Sequence, residues 1–394
     1  MDLPERVDVL IAGGALMGSS VAFHLLREDP SLTVALIDPD PSFENTGTAR
    51  TNSCIRQQFG TEINVRISQH GVQFIREFAD ELADGDVPNI HFDPFGYLYL
   101  AADPTFADVL RSAAAFQTAL GAGTRIMGQG ALREAFPFIA FDDILLGSHG
   151  SRDEGYFDGG TMFYQLRRAA LRRGAIAVGA AVTRLEVAGG KVRSATLSDG
   201  RSVACGAFVN CAGTRGATIA AMAGLSIPVE PRRRYSFVFS CPENLGAPLP
   251  LTIDPSGVHV RQDGANFLAG CPPDDDAPPD PEDMTMEHEI WEEKVWPAVA
   301  ARVPAFERAR VVNAWIGHYD FNTLDQNAIL GPAEAVPNFY FCNGFSGHGF
   351  QQSPAVGRGI AEHVLHGEYR TLDLSPLGHS RVLRSEPLLE RAII

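Results

Sequence analysis

Apolar residues recur with two different rhythms along the 394-residue chain, and each change of rhythm marks an element. Arg6–Ala12 is a near-continuous apolar run that predicts a buried strand. Leu16–Arg27 carries Met17, Val21 and Leu25 on one helical face, and Leu32–Ile37 predicts a second strand ending at Asp38. Two strands joined through a helix make a parallel βαβ unit. Residues 39–61 then turn polar and rich in glycine, threonine and asparagine, a loop of the length that compact domains keep for function. Val65, Val72, Ile75, Phe78 and Ala79 predict a helix over Glu62–Leu82.

From about residue 84 the texture changes. Phe95–Ala101 is strand-like, Ala107–Leu120 and Gly130–Ala135 are helix-like, and residues 161–173 form an amphipathic helix. Short strands around Ala175–Val178, Thr183–Val187 and Val192–Leu197 follow, punctuated by the Gly189–Gly190 and Asp199–Gly200 turns. A buried strand at Ala207–Asn210 runs through Cys211, Ala212 and Gly213 into a helix that ends near Ala223. Residues 228–270 are strand-rich, with a hairpin turn at Asp263–Gly264. Residues 272–283, PPDDDAPPDPED, read as a solvated loop, because the prolines break the ligand alternation of a calcium loop and no glycine stands at its turn. A helix over 284–300, strands Val311–Tyr319 and Phe339–Cys342, and a last helix Ala355–Leu365 complete the pattern. The alternating textures predict two interleaved domains, one made of 1–83, 152–225 and 326–394, the other of 84–151 and 226–325.

Charge narrows the partners. With 32 basic and 48 acidic side chains the formal net charge is −16, which argues against nucleic acid and anionic membrane surfaces. A small anion held by local arginines stays open. Val7–Leu26 is long enough to mimic a membrane span, but Asp8, His24 and the Gly13–Gly14 break favour a strand followed by a helix. The six cysteines show no CxxC pair and no zinc spacing, and read as reduced thiols of a soluble, cytoplasmic protein. The acidic start of the chain lacks the basic n-region of a secretory signal.

The first chemical candidate is Gly13-Gly14-Ala15-Leu16-Met17-Gly18, placed between strand and helix. Gly13 permits a tight turn, Gly18 a close helix–sheet approach, and the helix start offers free N–H groups to a pyrophosphate. Asp38, 20 residues past Gly18, stands where a carboxylate accepts hydrogen bonds from ribose hydroxyls and disfavours a 2′-phosphate. Ala15 takes the place of the pattern's middle glycine. The turn alone does not separate NAD from FAD. The second candidate is the loop Gly344–Gly349, whose glycines let backbone amides approach a ligand and which opens a helix.

Three further segments, ARTNSCIRQQFG (Ala49–Gly60), FVNCAGTRGATIAAMAG (Phe208–Gly224) and NFYFCNGFSGHGFQQSPAVGRGIAE (Asn338–Glu362), join these motifs over nearly the whole chain. Together they resemble the D-amino-acid-oxidase-like superfamily of FAD-dependent oxidoreductases, in particular its sarcosine oxidase, dimethylglycine dehydrogenase and glycine oxidase-like branch. The resemblance implies an α/β fold, α+β overall, in which a Rossmann-type FAD-binding domain is interleaved with a mixed-sheet substrate domain. It implies FAD contacts at Gly13, Gly14, Ala15, Met17, Gly18, Asp38, Ser53, Cys54, Val182, Cys211, Ala212, Gly213, Gly344, Gly347, His348, Gly349, Phe350 and Gln351. Trp315–Tyr319 lacks the cysteine that tethers flavin in sarcosine oxidases, so non-covalent FAD is expected. Gln351 replaces their lysine after the GHGF motif, so either oxygen or another electron-transfer acceptor is open.

For the substrate, the resemblance matches Arg56 to the arginine that pairs with a carboxylate over the flavin, and Tyr319 to a pocket tyrosine. His259 and Arg261, two apart on a strand, share a face that lines either the cavity or the solvent. Arg232 and Arg234 likewise share a face, with Arg233 opposite, and an arginine turned into the cavity would favour a second substrate carboxylate. His348 is either a support of its loop or a base. The activity implied is oxidation of the C–N bond of a secondary or tertiary amino acid, by hydride transfer to the flavin and hydrolysis of the imine. Oxidation of a 2-hydroxy acid, and a non-catalytic FAD-containing assembly role, are the alternatives.

Overall fold

The computed structural model describes residues 3–83 and 85–390. Residues 1–2, 84 and 391–394, which include outer limits of the expected domain segments, lie outside the described residues. Two eight-stranded sheets and a three-stranded one form a mixed α/β architecture.

The first sheet runs Val182–Ala188, Lys191–Leu197, Ser202–Asn210, Arg6–Ala12, Val34–Asp38 and Ile176–Gly179. Phe339–Asn343 adds to the free edge of Ser202–Asn210, and Ile329–Pro332 pairs with it in turn. The apolar run predicted as a strand is central: Val9 lies between Val34 and Ala207, both in parallel register. A strand with parallel neighbours on both sides is covered on both faces, hence the lack of alternation in its sequence. Ala12, Asp38, Asn210 and Asn343 end four parallel strands at one edge of the sheet. The glycine turn, the carboxylate of Asp38, Cys211–Gly213 and the Gly344–Gly349 loop therefore emerge together, at the edge where open α/β sheets hold ligands.

The second sheet runs Arg310–Asn322, Val229–Ser240, Asn266–Cys271, His259–Asp263, Leu251–Ile253, Tyr97–Ala101, Leu146–Gly150 and Thr124–Gly128. One face carries Leu98, Leu100, Tyr235, Phe237, Phe239, Val258 and Val260, packed with Val299 and Phe306. The other face carries Tyr97, Tyr99, Arg234, Ser236, His259 and Arg261. Against it lies the loop expected to be functional: Asn52 meets Ser236 at 3.2 Å and His259 at 3.1 Å, and its carbonyl accepts from Arg261 at 3.0 Å.

Several expectations need correcting. The helix expected over Glu62–Leu82 is two, Glu62–Arg76 and Phe78–Leu82, parted at Glu77. The helix after the glycine loop begins at Gly349, six residues before Ala355, and continues to His366 with Pro354 inside it. Proline has no N–H for the carbonyl four residues back. Ser353 Oγ supplies the missing donor to Phe350 O at 2.9 Å. It is not the last helix, since His379–Leu383 follows. The region 284–300 becomes regular helix only toward its end, in a π turn Trp291–Val295 and a helix Trp296–Arg302. Asp283 and Glu287 are drawn instead to Arg233. Thr124–Gly128, Leu146–Gly150 and Gly155–Phe157 are further strands that the pattern does not single out, Leu146–Gly150 being buried throughout despite its two glycines. No helix among the described residues is long and apolar enough to cross a membrane.

Candidate active site

At the first turn, Gly13 has φ +103°, and a Cβ there or at Gly18 would collide with backbone oxygens of Cys211 and Gly13. The helix Leu16–Glu28 starts at Ala15, which offers no capping side chain, and Leu16 N–H donates instead to Thr48 Oγ1 of the polar loop at 3.3 Å. Asp38 accepts from Gly14 N at 2.7 Å and from Asp40 N at 3.0 Å, and Arg167 donates to Gly14 O at 2.9 Å. Burial raises the Asp38 pKa, against the pull of those amides. Gly213 has φ +53° with open space at its Cβ position. Val182 begins a strand two residues after Ala180, whose N–H donates to Asp38 O at 3.0 Å. Met17 and Ala15 lie on the same turn.

The second loop is built differently. Asp320 accepts from Gly344 N at 2.8 Å, and its backbone carbonyl from Ser346 N at 3.0 Å. Burial pushes this carboxyl up to about 6, a cost its amide partners only partly offset. Gly347, φ +91°, leaves no room for a Cβ beside the Tyr319 ring, and is itself exposed. Gly349, Phe350, Tyr319, Ser53 and Cys54 are half-buried around it. Ser53 holds φ +51°, its N–H on Thr51 Oγ1 at 3.0 Å, and burial raises the Cys54 thiol.

Arg56 is 1% exposed. One Nη donates to Gln58 O, the other meets His348 Nε2 at 3.0 Å, and the guanidinium lies 4.0 Å from the Phe59 ring centroid and 5.7 Å from that of Tyr99. An arginine has only donors, so His348 Nε2 must accept here. Burial and the Arg56 charge hold His348 well below the usual imidazole range. In this geometry His348 Nε2 is engaged by the Arg56 guanidinium and supports it from one side. Gln351 Oε1 accepts the Arg56 N–H at 2.9 Å, fixing the backbone from the opposite side.

Sequence reasoning missed what stands behind Arg56. Glu154, fully buried, accepts from Gln57 N at 2.9 Å and Gln58 Nε2 at 3.0 Å. Burial raises it to about 7. Yet among the described residues no carboxylate lies within ion-pair distance of Arg56 itself. The other arginines of the region differ. Arg261 is paired with Asp263 at 2.8 Å, Arg232 with Glu230 at 2.9 Å, and Arg234 with Asp276 through two bonds of 2.6 and 3.1 Å. Arg233 points to the opposite face and binds Asp283 and Glu287. His259, held by burial and the charges of Arg261 and Arg234 to about 4, is neutral.

A family model described as FAD dependent oxidoreductase matches residues 8–363. FAD-dependent oxidoreductase domain-containing protein 1 of Xenopus laevis is 36% identical over 427 residues, covering 99% of this chain and 85% of that protein. Mouse mitochondrial sarcosine dehydrogenase is 22% identical, covering 99% of this chain and 43% of its own length. Among solved structures, L-proline dehydrogenase from P. horikoshii has a TM-score of 0.86 at 24% identity over 98% of this chain and 100% of that one. Iminodiacetate oxidase from a Chelativorans species has a TM-score of 0.75 at 22% identity over 94% and 98%. At such identities the structures establish the shared fold.

Proposed function

The chain belongs to the FAD-dependent oxidoreductase family and uses FAD, and on that footing we propose that it oxidises the C–N bond of a secondary or tertiary amino acid. The observation that carries this reading is Arg56: a buried guanidinium, oriented by two neutral acceptors, with no carboxylate among the described residues within ion-pair distance of it. Burying an unpaired charge is costly, and an anion brought by a ligand relieves that cost. A substrate carboxylate is such an anion, and a fixed guanidinium orients the adjacent C–H through two parallel bonds.

The turn Gly13–Gly18 and Asp38 fit the pyrophosphate and ribose of FAD, since Gly13 and Gly18 leave no space for side chains and the helix that follows has no capping side chain at Ala15. Ser53, Cys54, Val182, Cys211–Gly213 and Gly344–Gln351 would complete its site. Bound there, FAD supplies the two-electron acceptor. The protein supplies orientation through Arg56 and a wall at Tyr319, and the amine loses its proton to water before the lone pair can drive the transfer. In this reading the first sheet with its helices, 1–83, 152–225 and 326–394, is the cofactor domain, and 84–151 with 226–325 the substrate domain. Gln351 is committed to the Arg56 backbone, and we read the enzyme as a dehydrogenase at least as readily as an oxidase.

The test is anaerobic titration of the holoenzyme with N-methylated amino acids, with the matching amines that lack the carboxylate, and with 2-hydroxy acids. The N-methylated amino acids should bleach the flavin and the simple amines should not. Bleaching by hydroxy acids alone, or by none of the three, overturns the reading. Acid should release the flavin intact, and flavin left on the precipitated chain would refute non-covalent binding.

A further inference from the structure

The Pro- and Asp-rich segment 272–283 is the exposed loop its composition suggests, but it is not free. Asp274 binds Lys294 at 2.7 Å, Asp276 binds Arg234 through two bonds, Glu282 meets Arg215, and Asp283 meets Arg233. Pro281 O lies 3.2 Å from His318 Nδ1. The segment is laced at both ends and in the middle to the strands Val229–Ser240 and Arg310–Asn322 and their neighbours.

Asp276 is the contact on the site-facing side of the sheet. The Arg234 guanidinium, its partner, lies 5.1 Å from the centroid of the Tyr319 ring. Tyr319 in turn packs on Gly347, next to His348, which holds Arg56 at 3.0 Å. Tyr319 thus lies against one guanidinium, which holds a carboxylate of the chain, and reaches through Gly347 and His348 toward a second, which holds none among the described residues. The same face carries buried polar atoms that have no partner among the described residues: Arg234 Nε, Arg261 Nε, His259 Nδ1 and Tyr99 Oη. Each of these is a buried polar group that a bound polar ligand would satisfy. Arg56 and Arg261 are also 1% and 3% exposed, so a substrate reaches them only when some covering segment gives way.

We propose that residues 272–283 form a strap in which Asp276 occupies Arg234 as an internal stand-in for substrate, and that the second carboxylate of a dicarboxylic N-substituted amino acid displaces it. The inference rests on the amino-acid reading above and adds the substrate class. Arg56 takes the carboxylate beside the reacting carbon, and Arg234, flanked by His259 and Arg261, takes the distal one. Exchange is balanced in charge: one carboxylate leaves Arg234 as another arrives. Half-exposed Asp276 is the replaceable partner, since water solvates it on release.

The experiment measures binding to the oxidised holoenzyme by perturbation of the flavin spectrum, with N-methylglycine as the monoanion and iminodiacetate and N-methylglutamate as dianions. Wild type should prefer a dianion to N-methylglycine. Asp276→Ala removes the internal competitor and should tighten that dianion about three- to five-fold, the scale of a partly exposed ion pair, leaving N-methylglycine unchanged. Arg234→Ala should weaken the dianion about ten-fold or more and erase the preference, the loss expected for charge-assisted bonds. Hydrogen exchange across 272–288 should rise when the dianion binds. A dianion-to-monoanion ratio that neither variant moves overturns the strap proposal, while normal binding of all three ligands in Arg56→Lys overturns the underlying amino-acid reading instead.

Discussion

Arg56 and the Arg232–Arg234 run sit on two segments that meet at the same site, and they handle charge in opposite ways. The strand Val229–Ser240 presents its arginines to acids supplied by the chain: Glu230, Asp276, Asp283 and Glu287. The polar loop that crosses the sheet buries Arg56 more deeply, and among the described residues its guanidinium meets a carbonyl and a neutral imidazole rather than an acid. A paired arginine is a structural tie whose worth is small where its partner is wet. An unpaired one in a dry site is strain held for a ligand. Position in a cleft does not separate the two kinds, but whether a ligand can take the partner's place does.

The largest effect expected from that contrast lies at Arg56. Arg56→Met keeps the volume and removes the charge, so the holoenzyme should lose about 100-fold in kcat/KM for a carboxylate substrate, on the scale of one to two charge-assisted hydrogen bonds. Stability should stay within about 1 kcal/mol of wild type, because no ion pair of the chain is broken. A variant that keeps its rate, or that unfolds several kcal/mol sooner, would place Arg56 among the structural ties.

Glu154 sharpens the comparison from behind. Its pKa rises from 4.5 to about 7 by burial, so between those values the folded chain holds a proton that the unfolded chain has released. The sign follows: its contribution is most favourable at low pH and is lost as pH rises through about 7, by about 3 kcal/mol in all. Glu154→Gln should flatten this part of the pH dependence, so its thermal midpoint should gain on wild type between pH 5 and pH 8. Parallel curves would mean that Arg56 already balances Glu154 through Gln57 and Gln58, and that the two form one buried pair.

How much of this was legible in the chain depends on the range of the interaction. The turn Gly13–Gly18 and Asp38 could be read because their geometry follows from one strand–helix–strand unit. The shared face of Arg232 and Arg234 could be read because strand side chains alternate. Arg56 carried no local signal and was found by resemblance. Glu154 gave none either: its partner amide is 97 residues away, and Ser-Arg-Asp-Glu-Gly has the composition of a turn. The segment 272–283 is the exposed loop its composition indicates, but its ties were not legible for the same reason, since Asp276 and Asp283 meet arginines 42 and 50 positions earlier that composition does not announce.

The smallest effect belongs to Arg233, the member of the run that alternation turns away from the site. Its partners Asp283 and Glu287 are 42% and 50% exposed at the side chain, so water competes for both bonds. Arg233→Ala should cost no more than about 1 kcal/mol of stability and leave substrate affinity unchanged. Its neighbour on the opposite face is the control, because Arg234 differs from it by one residue and by the side of the sheet. A denaturant melt and a ligand titration of both variants separate the cases. If Arg233→Ala weakens ligand binding as much as Arg234→Ala does, the run acts through the strap as a whole, and the distinction between a tie and a receptor fails at this strand.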